Sequence, residues 1–344
     1  GSDVRMSVCC MVWPYRVSPG AMSSANGSYI ATAPATIVIA GPTASGKSAL
    51  ALRIAEEFGG VVINADSMQV YDELSILTAR PGAEDEARVP HRLYGALSAA
   101  EVCSVARWRD MALVEIEAAH VAGQLPVICG GSGLYLKALT DGLAKVPEIP
   151  ADIRQQARTL HLEIGGEAMH ARLAEHDPEM AGRLAPGNTQ RLIRAWEVLQ
   201  ATGRSLSDWQ AQSQDASPTV QAFTITLMPE RALLYAACDA RFDAMLAAGA
   251  LEEVRRLAAL GLDPALPAMK ALGVPQLLAV ERGQMLLEEA TEIAKRETRR
   301  YAKRQMTWFR HQISSNLALE TQYSESLWPK IFSKIRPYVL TAPD

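Results

Sequence analysis

The sequence lacks several features that would assign it to a specialised class of protein. It has five cysteines among 344 residues, with no Cys-x-x-Cys pair and no histidine spacing typical of zinc. This scatter is typical of a reduced cytosolic chain. No apolar run approaches the roughly 20 residues that cross a bilayer, so no membrane span is predicted. The net charge of −4 excludes a globally cationic protein, and any nucleic acid must be bound by a local basic surface.

The N-terminal stretch, residues 1–35, is rich in serine, glycine and alanine. Residues 6–13 are apolar and follow Arg5. Pro14 and Arg16 end that run and no clear small-residue cleavage site follows, so a secretory signal is disfavoured. The composition predicts a flexible tail over residues 1–35, in which Met22 is a candidate natural start.

Against these absences, residues 41–48 carry a phosphate-binding pattern. A short β-branched run at 36–40 precedes them, and apolar residues at helical spacing follow at 49–55. A strand, a glycine turn and a helix in this order place backbone N–H groups and a helix N-terminus around a multiply charged anion. The predicted phosphate-binding residues are Gly41, Pro42, Thr43, Ala44, Ser45, Gly46, Lys47 and Ser48.

Two side chains add chemistry to this loop. Lys47 supplies a positive charge, and the hydroxyl of Ser48 is a candidate ligand of Mg²⁺. The alternative is a glycine turn that only packs a strand against a helix. The loop alone does not distinguish a diphosphate from a triphosphate.

Asp66 follows a second predicted strand at 61–64. The carboxyl ends of parallel strands meet at one edge of a sheet, so this carboxylate is expected beside the anion site. A helix N-cap is an alternative and compatible role. A third strand at 125–129 runs into Gly130-Gly131-Ser132 without the acidic residue that holds the Mg²⁺ water shell in nucleotide hydrolases and many kinases, which weakens a nucleotide-hydrolysing interpretation.

The order of predicted elements indicates an α/β fold with a P-loop NTPase-like parallel sheet flanked by helices. Strand signals disappear between about 141 and 218, where helical patterns at 151–162, 167–175 and 188–201 are broken by glycine and proline, and a strand returns at 222–227. We therefore expect a catalytic core at 36–140 and 220–325. A small all-helical inserted domain is expected at 141–219, and a C-terminal segment at 326–344.

Basic residues concentrate in two helical stretches. Residues 290–311 hold seven lysines and arginines against two glutamates, a local charge of +5, and interleave Tyr301, Trp308 and Phe309. Such a stretch can bind RNA phosphates and stack bases, or be a solvated helix face with its aromatics in the core. Arg191 and Arg194 share one helical face, and Arg241 lies among acidic residues that suit a surface ion pair.

These residues resemble the tRNA dimethylallyltransferases, also called tRNA isopentenyltransferases. The similarity covers roughly residues 37–311 and rests on five motifs in the family's order, at 41–48, 66–71, 130–135, 190–198 and 303–310. The resemblance implies transfer of a dimethylallyl group from dimethylallyl diphosphate to N6 of adenosine 37, next to the anticodon of tRNA. A P-loop nucleoside or small-molecule kinase and a non-catalytic RNA-binding module are the alternatives.

The family match also implies roles for individual residues. Asp66 would be the general base, with Lys47 and Arg241 stabilising the diphosphate and Ser48 binding Mg²⁺. The implied partners are the anticodon stem-loop of tRNA and dimethylallyl diphosphate, for a cytoplasmic and monomeric enzyme. The implied tRNA contacts are Asp66, Ser67, Met68, Gln69, Ser132, Arg154, Gln190, Arg191, Leu192, Ile193, Arg194, Lys303, Arg304, Gln305, Met306, Thr307, Trp308, Phe309 and Arg310.

Overall fold

The computed structural model describes residues 34–213 and 220–342, so the predicted N-terminal tail lies outside the described residues except for its last two. Their sheet has six parallel strands in the order β3-β2-β4-β1-β5-β6. The predicted α/β class with a parallel sheet is confirmed. The strands are β1 (Ile37–Ala40), β2 (Gly60–Asn64), β3 (His91–Arg92), β4 (Leu125–Gly130), β5 (Phe223–Leu227) and β6 (Leu317–Leu319).

Helices connect the strands and cover both faces of the sheet. Those of the core are α1 (Lys47–Phe58), α2 (Ala83–Arg88), α3 (Val105–Val121), α4 (Gly133–Thr140), α9 (Arg231–Ala247), α10 (Ala250–Ala259), α11 (Val274–Glu281), α12 (Leu287–Gln312) and α13 (Trp328–Thr341). Between β4 and β5 the chain forms α5 (Ala151–His176), α6 (Pro178–Gly182), α7 (Thr189–Thr202) and α8 (Leu206–Ser213).

The central strand β1 is buried on both sides. Val38 packs into a hydrophobic core shared with α3, α4 and α9–α12, whereas Ile37 and Ile39 pack into a second core with α1 and α13. Each such side chain contributes about 1.5–3 kcal/mol when it leaves water. Because β1 pairs with β4 on one side and β5 on the other, the loop that follows it emerges at the middle of the sheet edge.

The helices α5–α8 have a small hydrophobic core of their own, which includes Met169, Leu173 and Trp196. The predicted break near residues 165–166 is a kink within α5, where Gly165 has φ 76°. A Cβ on Gly166 would lie 2.4 Å from the carbonyl oxygen of Pro186, so the kink brings these segments into direct contact. The proposed inserted domain therefore contains a core, while its boundaries at 141 and 219 stay a prediction.

Several elements were not predicted. Residues 83–92 form α2 and the short strand β3 at the sheet edge. Beyond residue 314 the chain adds the strand β6 and the helix α13. Strands of two or three residues carry too little pattern for recognition, because pairing with the sheet supplies most of their stability. Among the described residues, no helix is both long and apolar enough to cross a membrane.

Candidate active site

The loop of residues 41–48 connects β1 to α1 and depends on its glycines. Gly46 has φ 86°, which glycine adopts without strain, and it caps the N-terminus of α1. A Cβ on Gly41 would lie 2.8 Å from Ser45 Oγ and 2.9 Å from the Leu227 carbonyl oxygen. The close approach of these atoms leaves room for glycine alone. The loop therefore wraps tightly around the N-terminal end of α1, where the helix dipole favours negative charge.

Two polar side chains in the loop have few hydrogen-bond partners within the described residues. Ser45 is fully buried, and its Oγ has no hydrogen-bond partner among the described residues. Buried hydroxyls are normally satisfied, so this atom suits a ligand oxygen. Lys47 is half-buried and donates only to the Pro42 carbonyl, over 3.1 Å. Burial lowers the pKa of Lys47, and the nearby Asp66 partly opposes that shift.

Arg241 reaches this loop from α9. Its guanidinium donates a hydrogen bond to Thr43 Oγ1, and burial lowers its pKa while the negative charge of Asp66 raises it. The surface ion pair considered from sequence does not form, because the neighbouring acids bind α12 instead. Asp239 accepts from Arg299 over 2.6 Å, and Asp243 pairs with Lys295 over 2.7 Å. Arg241 therefore pairs with neither of these acids and contacts the phosphate loop through Thr43.

Asp66 lies across Gly131 from the phosphate loop. Its Oδ1 accepts a hydrogen bond of 3.0 Å from the Met68 N–H in a turn; no helix begins there, so the alternative role of a helix N-cap is wrong. Its Oδ2 is 3.5 Å from the position that a Cβ on Gly131 would occupy, and the Gly41 carbonyl oxygen is also 3.5 Å from that point. The structure thus places the carboxylate beside residues 41–48, the phosphate cradle. Its Oδ2 takes no part in the hydrogen bond of the turn.

The two glycines after β4 allow this approach. A Cβ on Gly130 would lie 2.1 Å from the carbonyl oxygen of Ala65, so the ends of β2 and β4 are in direct contact. Ser132 joins the same two loops, because its Oγ accepts from Ser67 N–H over 2.9 Å and donates to Ser67 Oγ over 3.1 Å. The predicted neighbours Ser67 and Ser132 therefore lie together beside Asp66.

Asn64 is a supporting residue that the sequence analysis missed. Its fully buried side chain donates from Nδ2 to the carbonyl of Asp66 over 3.0 Å and accepts from the Asp66 N–H over 2.8 Å. The Trp108 indole N–H donates to the Asn64 carbonyl over 2.9 Å. A polar residue at the end of an apolar strand was the available signal, because buried amides require partners.

Gln322 and Tyr323 support the outer side of the phosphate loop and were also missed. Gln322 Nε2 donates to the Ala44 carbonyl over 3.0 Å, and the Tyr323 N–H donates to the Ser45 carbonyl over 3.1 Å. Ala44 has φ 61°, a conformation that alanine rarely adopts. These contacts join segments more than 270 residues apart, so no local pattern in the sequence indicates them.

A cavity of about 1940 Å³ opens beside Ser67, Gly131 and Ser132. It lies between α4, the inserted helices and α12, and cations line it. Four of them form ion pairs: Lys137 with Asp141, Arg183 with Glu179, Arg194 with Glu197, and Arg300 with Glu297. Arg191, Lys303 and Arg304 line the cavity without an ion pair among the described residues, and Arg304 lies 5.7 Å from the ring of Tyr301.

The basic segment of α12 presents two different faces. Lys303, Arg304, Thr307 and Trp308 line the cavity, and Arg310 is exposed outside it. Gln305, Met306 and Phe309 are buried, with exposures of 5%, 8% and 2%. Met306 and Phe309 pack into the protein outside the cavity lining, which disfavours the tRNA contacts implied for them, whereas Gln305 also borders the cavity. For Phe309 the alternative interpretation, an aromatic residue in the core, is the one that holds.

The other implied contact segments divide in the same way. Gln190 and Arg191 line the cavity, whereas Leu192 is fully buried in the core of the inserted helices, which disfavours the tRNA contact implied for it. Arg154 is exposed on α5 and lies outside the cavity lining. The Nε2 group of Gln69 donates hydrogen bonds within the protein, to the carbonyls of Thr78 and Ala79 over 2.8 and 3.1 Å.

The site can now be compared with known proteins. The family model described as IPP transferase matches residues 69–312. A tRNA dimethylallyltransferase of Paramagnetospirillum magneticum is 57% identical over 312 residues, which cover 91% of this chain and 99% of that protein. Another, of Rhodospirillum centenum, is 61% identical over 280 residues, covering 81% of this chain and 89% of that protein.

Solved structures agree with these sequence relatives. A eukaryotic dimethylallyltransferase acting on tRNA has a TM-score of 0.78 at 25% identity, with 90% of this chain and 81% of that chain covered. The tRNA isopentenylpyrophosphate transferase of Bacillus halodurans has a TM-score of 0.63 at 32% identity, with 89% of this chain and 95% of that chain covered.

Proposed function

The chain belongs to the IPP transferase family, and from this premise we propose that it moves a dimethylallyl group from dimethylallyl diphosphate to N6 of adenosine 37 in tRNA. The observation that carries the proposal is the position of Asp66. Its Oδ2 faces a phosphate cradle across Gly131, and a large cation-lined cavity opens beside it. This arrangement suits a reaction that joins a small diphosphate to a bulky nucleic acid.

The cradle would hold the diphosphate that leaves. Negative charge builds on the diphosphate as the allylic C–O bond breaks, with the electron pair passing to the leaving oxygen. Lys47, Arg241 and the N–H groups at the N-terminus of α1 would face that charge from fixed positions, and the unpartnered Ser45 hydroxyl can donate to it. Preorganised donors of this kind are worth about 10²–10³ in rate each.

We propose Mg²⁺ as the cofactor of this step, and the donors present fit it. Magnesium is usually bound through one or two protein oxygens, several waters and the substrate's phosphate oxygens. Ser48 offers an exposed hydroxyl on the first turn of α1. Among the described residues, no cluster of three or more histidine, cysteine or acidic side chains could hold the ion alone. When bound, Mg²⁺ would neutralise charge on the diphosphate.

Asp66 would act as the general base. The N6 amine of adenine is a weak nucleophile, because its lone pair is delocalised into the ring. As N6 bonds to the allylic carbon, the amine proton would pass to Asp66 Oδ2, while Asn64 and the Met68 N–H hold the rest of the residue. General-base assistance is worth about 10²–10⁴ in rate.

The cavity would hold the anticodon stem-loop. Arg191, Lys303 and Arg304 are free to bind phosphates, and Trp308 offers an aromatic edge to a base. Extruding the target adenine from its stack costs a few kcal/mol, which such contacts would offset. The proposed tRNA surface comprises Asp66, Ser67, Ser132, Gln190, Arg191, Arg194, Lys303, Arg304, Thr307, Trp308 and Arg310. We also propose that the enzyme acts as a monomer in the cytoplasm.

A product assay tests this function. Purified protein with dimethylallyl diphosphate, Mg²⁺ and unmodified tRNA carrying adenosines 36 and 37 should yield N6-isopentenyladenosine, read by mass spectrometry of the digested tRNA. Absence of product with several such tRNAs would contradict the proposal. Consumption of ATP without a prenyl donor would favour a kinase, which the glycines at the end of β4 disfavour.

A further inference from the structure

Gln305 lies in the basic segment of α12 and borders the cavity, yet its amide is directed into the protein. The residue is 5% exposed, and both ends of its amide are used inside the protein. Oε1 accepts a hydrogen bond of 2.8 Å from the Thr43 N–H in the phosphate loop. Nε2 donates over 2.9 Å to the carbonyl of Gly131. One side chain therefore connects α12, the phosphate loop and the loop after β4.

The chemistry of this junction suits glutamine. A neutral amide offers a donor and an acceptor at one terminus, so it can satisfy a backbone N–H and a backbone carbonyl at once. Lysine offers only donors, and an ionised glutamate offers only acceptors. A buried backbone group left without its partner is costly. The two loops that Gln305 joins are those that carry the anion cradle and face Asp66.

Neighbouring groups reinforce the junction. Thr43 is bound at two points, because Arg241 donates to its hydroxyl while Gln305 accepts from its N–H. Tyr301, one turn earlier on α12, lies beside the side chains of Ser132 and Gln305, and burial raises its pKa. The position a Cβ on Gly131 would take is 2.4 Å from Gln305 Nε2 and 3.5 Å from Asp66 Oδ2.

We propose that Gln305 is a positioning residue for the diphosphate site, which it serves through its hydrogen bonds to Thr43 and Gly131. It holds Thr43 and Gly131 at the separation at which the cradle and Asp66 face each other across one substrate. This role rests on the proposed function and assigns to α12 two separate tasks on its two faces. Lys303 and Arg304 serve the tRNA, and Gln305 serves the diphosphate.

The test measures affinity for each substrate separately in two variants of the full chain. Gln305→Met removes both hydrogen bonds at nearly constant volume, and Lys303→Met removes a cavity cation two residues away. Calorimetry with inorganic pyrophosphate and Mg²⁺ reports on the cradle, and fluorescence titration reports on unmodified tRNA. We expect Gln305→Met to weaken pyrophosphate binding about 10-fold with tRNA affinity unchanged, and Lys303→Met to show the reverse.

Steady-state kinetics separate positioning from a general loss of structure. Gln305→Met should raise the KM for dimethylallyl diphosphate about 10-fold and leave the KM for tRNA unchanged, in a variant that thermal melting shows to be folded at the assay temperature. If Gln305→Met does not fold, Gln305→Glu serves instead. It retains the acceptor for the Thr43 N–H but turns a carboxylate oxygen towards the Gly131 carbonyl, so pyrophosphate binding should weaken again.

Two results would overturn the inference. The first is weakened tRNA binding with intact pyrophosphate binding in Gln305→Met, which would make the residue an RNA contact. The second is wild-type affinity for pyrophosphate in a folded Gln305→Met or Gln305→Glu variant. A wild-type protein that prenylates tRNA while Gln305→Met binds pyrophosphate normally refutes this inference alone. A wild-type protein that neither binds pyrophosphate nor forms product refutes the proposed function with it.

Discussion

The phosphate cradle and the cavity beside it are built in opposite ways. In the cradle, Gly41 and Gly130 leave backbone atoms in direct contact, and the buried Asn64 and Gln305 hold the loops with short hydrogen bonds. In the cavity, long cationic side chains such as those of Lys303 and Arg304 are exposed on helices. The phosphate cradle with Asp66, which we call the centre, is therefore suited to hold the breaking bond rigidly. The cation-lined cavity, which we call the rim, can adjust to a large, charged substrate.

This difference predicts how substitutions divide. Changes at the centre should lower turnover or donor affinity by large factors and leave tRNA binding intact. Changes at the rim should weaken tRNA binding by small, salt-dependent amounts and leave the chemical step intact.

The largest effect among the cradle side chains is expected for Arg241→Ala. It removes a buried cation that contacts Thr43 beside the proposed diphosphate. We expect kcat/KM to fall about 10²–10³-fold, because a fixed charge opposite the leaving group is lost. Arg231→Ala, at the exposed start of the same helix, is the matched control and should retain wild-type activity. An equal fall in kcat/KM in both variants would contradict the distinction between the centre and the protein exterior.

A smaller effect is expected for Asn64→Leu, which changes the support of Asp66 and no substrate contact. The variant leaves the Asp66 and Leu93 carbonyls without their Nδ2 partner, which costs about 1–3 kcal/mol of unfolding free energy. We also expect about a 10-fold lower single-turnover rate, because the carboxylate loses its fixed orientation. Urea unfolding and rapid quench measure the two quantities. Lower stability with an unchanged rate would show that Asn64 serves the fold only.

At the rim, the Lys303→Ala, Arg304→Ala double variant should bind tRNA more weakly and with a smaller salt dependence. Each lost phosphate contact reduces the slope of log affinity against log salt by about 0.7. Fluorescence titration between low and moderate salt measures this slope. Lys295→Ala, on the same helix but paired with Asp243 over 2.7 Å, is the control and should leave the slope unchanged. An unchanged slope in the double variant would place the tRNA elsewhere.

The smallest effect is expected for Arg154→Ala. The residue is exposed on α5 and does not line the cavity. The variant should change the KM for tRNA less than about twofold, as exposed substitutions away from special features usually do. Arg191→Ala, which removes a cation that lines the cavity, is the comparison. An equally large increase in the KM for tRNA in Arg154→Ala would show that the tRNA surface extends across α5.

Much of the centre could be predicted because its signals are local. The runs that form β1, β2, β4 and β5 are apolar and β-branched, and the octet at 41–48 specifies its own turn. The position of Asp66 then follows from the rule that parallel strands end at one edge. The ties to Arg241, Gln305 and Gln322 could not be predicted from local pattern, because each joins segments distant in the chain.

The residues of α12 that face the cavity depend on a different signal. The resemblance assigned residues 303–310 to tRNA as a continuous stretch, but a helix turns only one face towards a ligand. The buried positions Ala302, Met306 and Phe309 recur at helical spacing, and so do Ala290, Ala294 and Thr298 before them. That periodicity was present in the sequence, and it separates the core face from the cavity face.

The most direct test of the account is the rate of prenyl transfer by Asp66→Asn in a single turnover with both substrates saturating. The variant keeps the size of the side chain and an acceptor for the Met68 N–H, but it cannot take up the amine proton. The account predicts a rate about 10²–10⁴-fold below wild type, with affinities for tRNA and dimethylallyl diphosphate nearly unchanged. Transfer at the wild-type rate would contradict the assignment of Asp66 as the base facing the cradle.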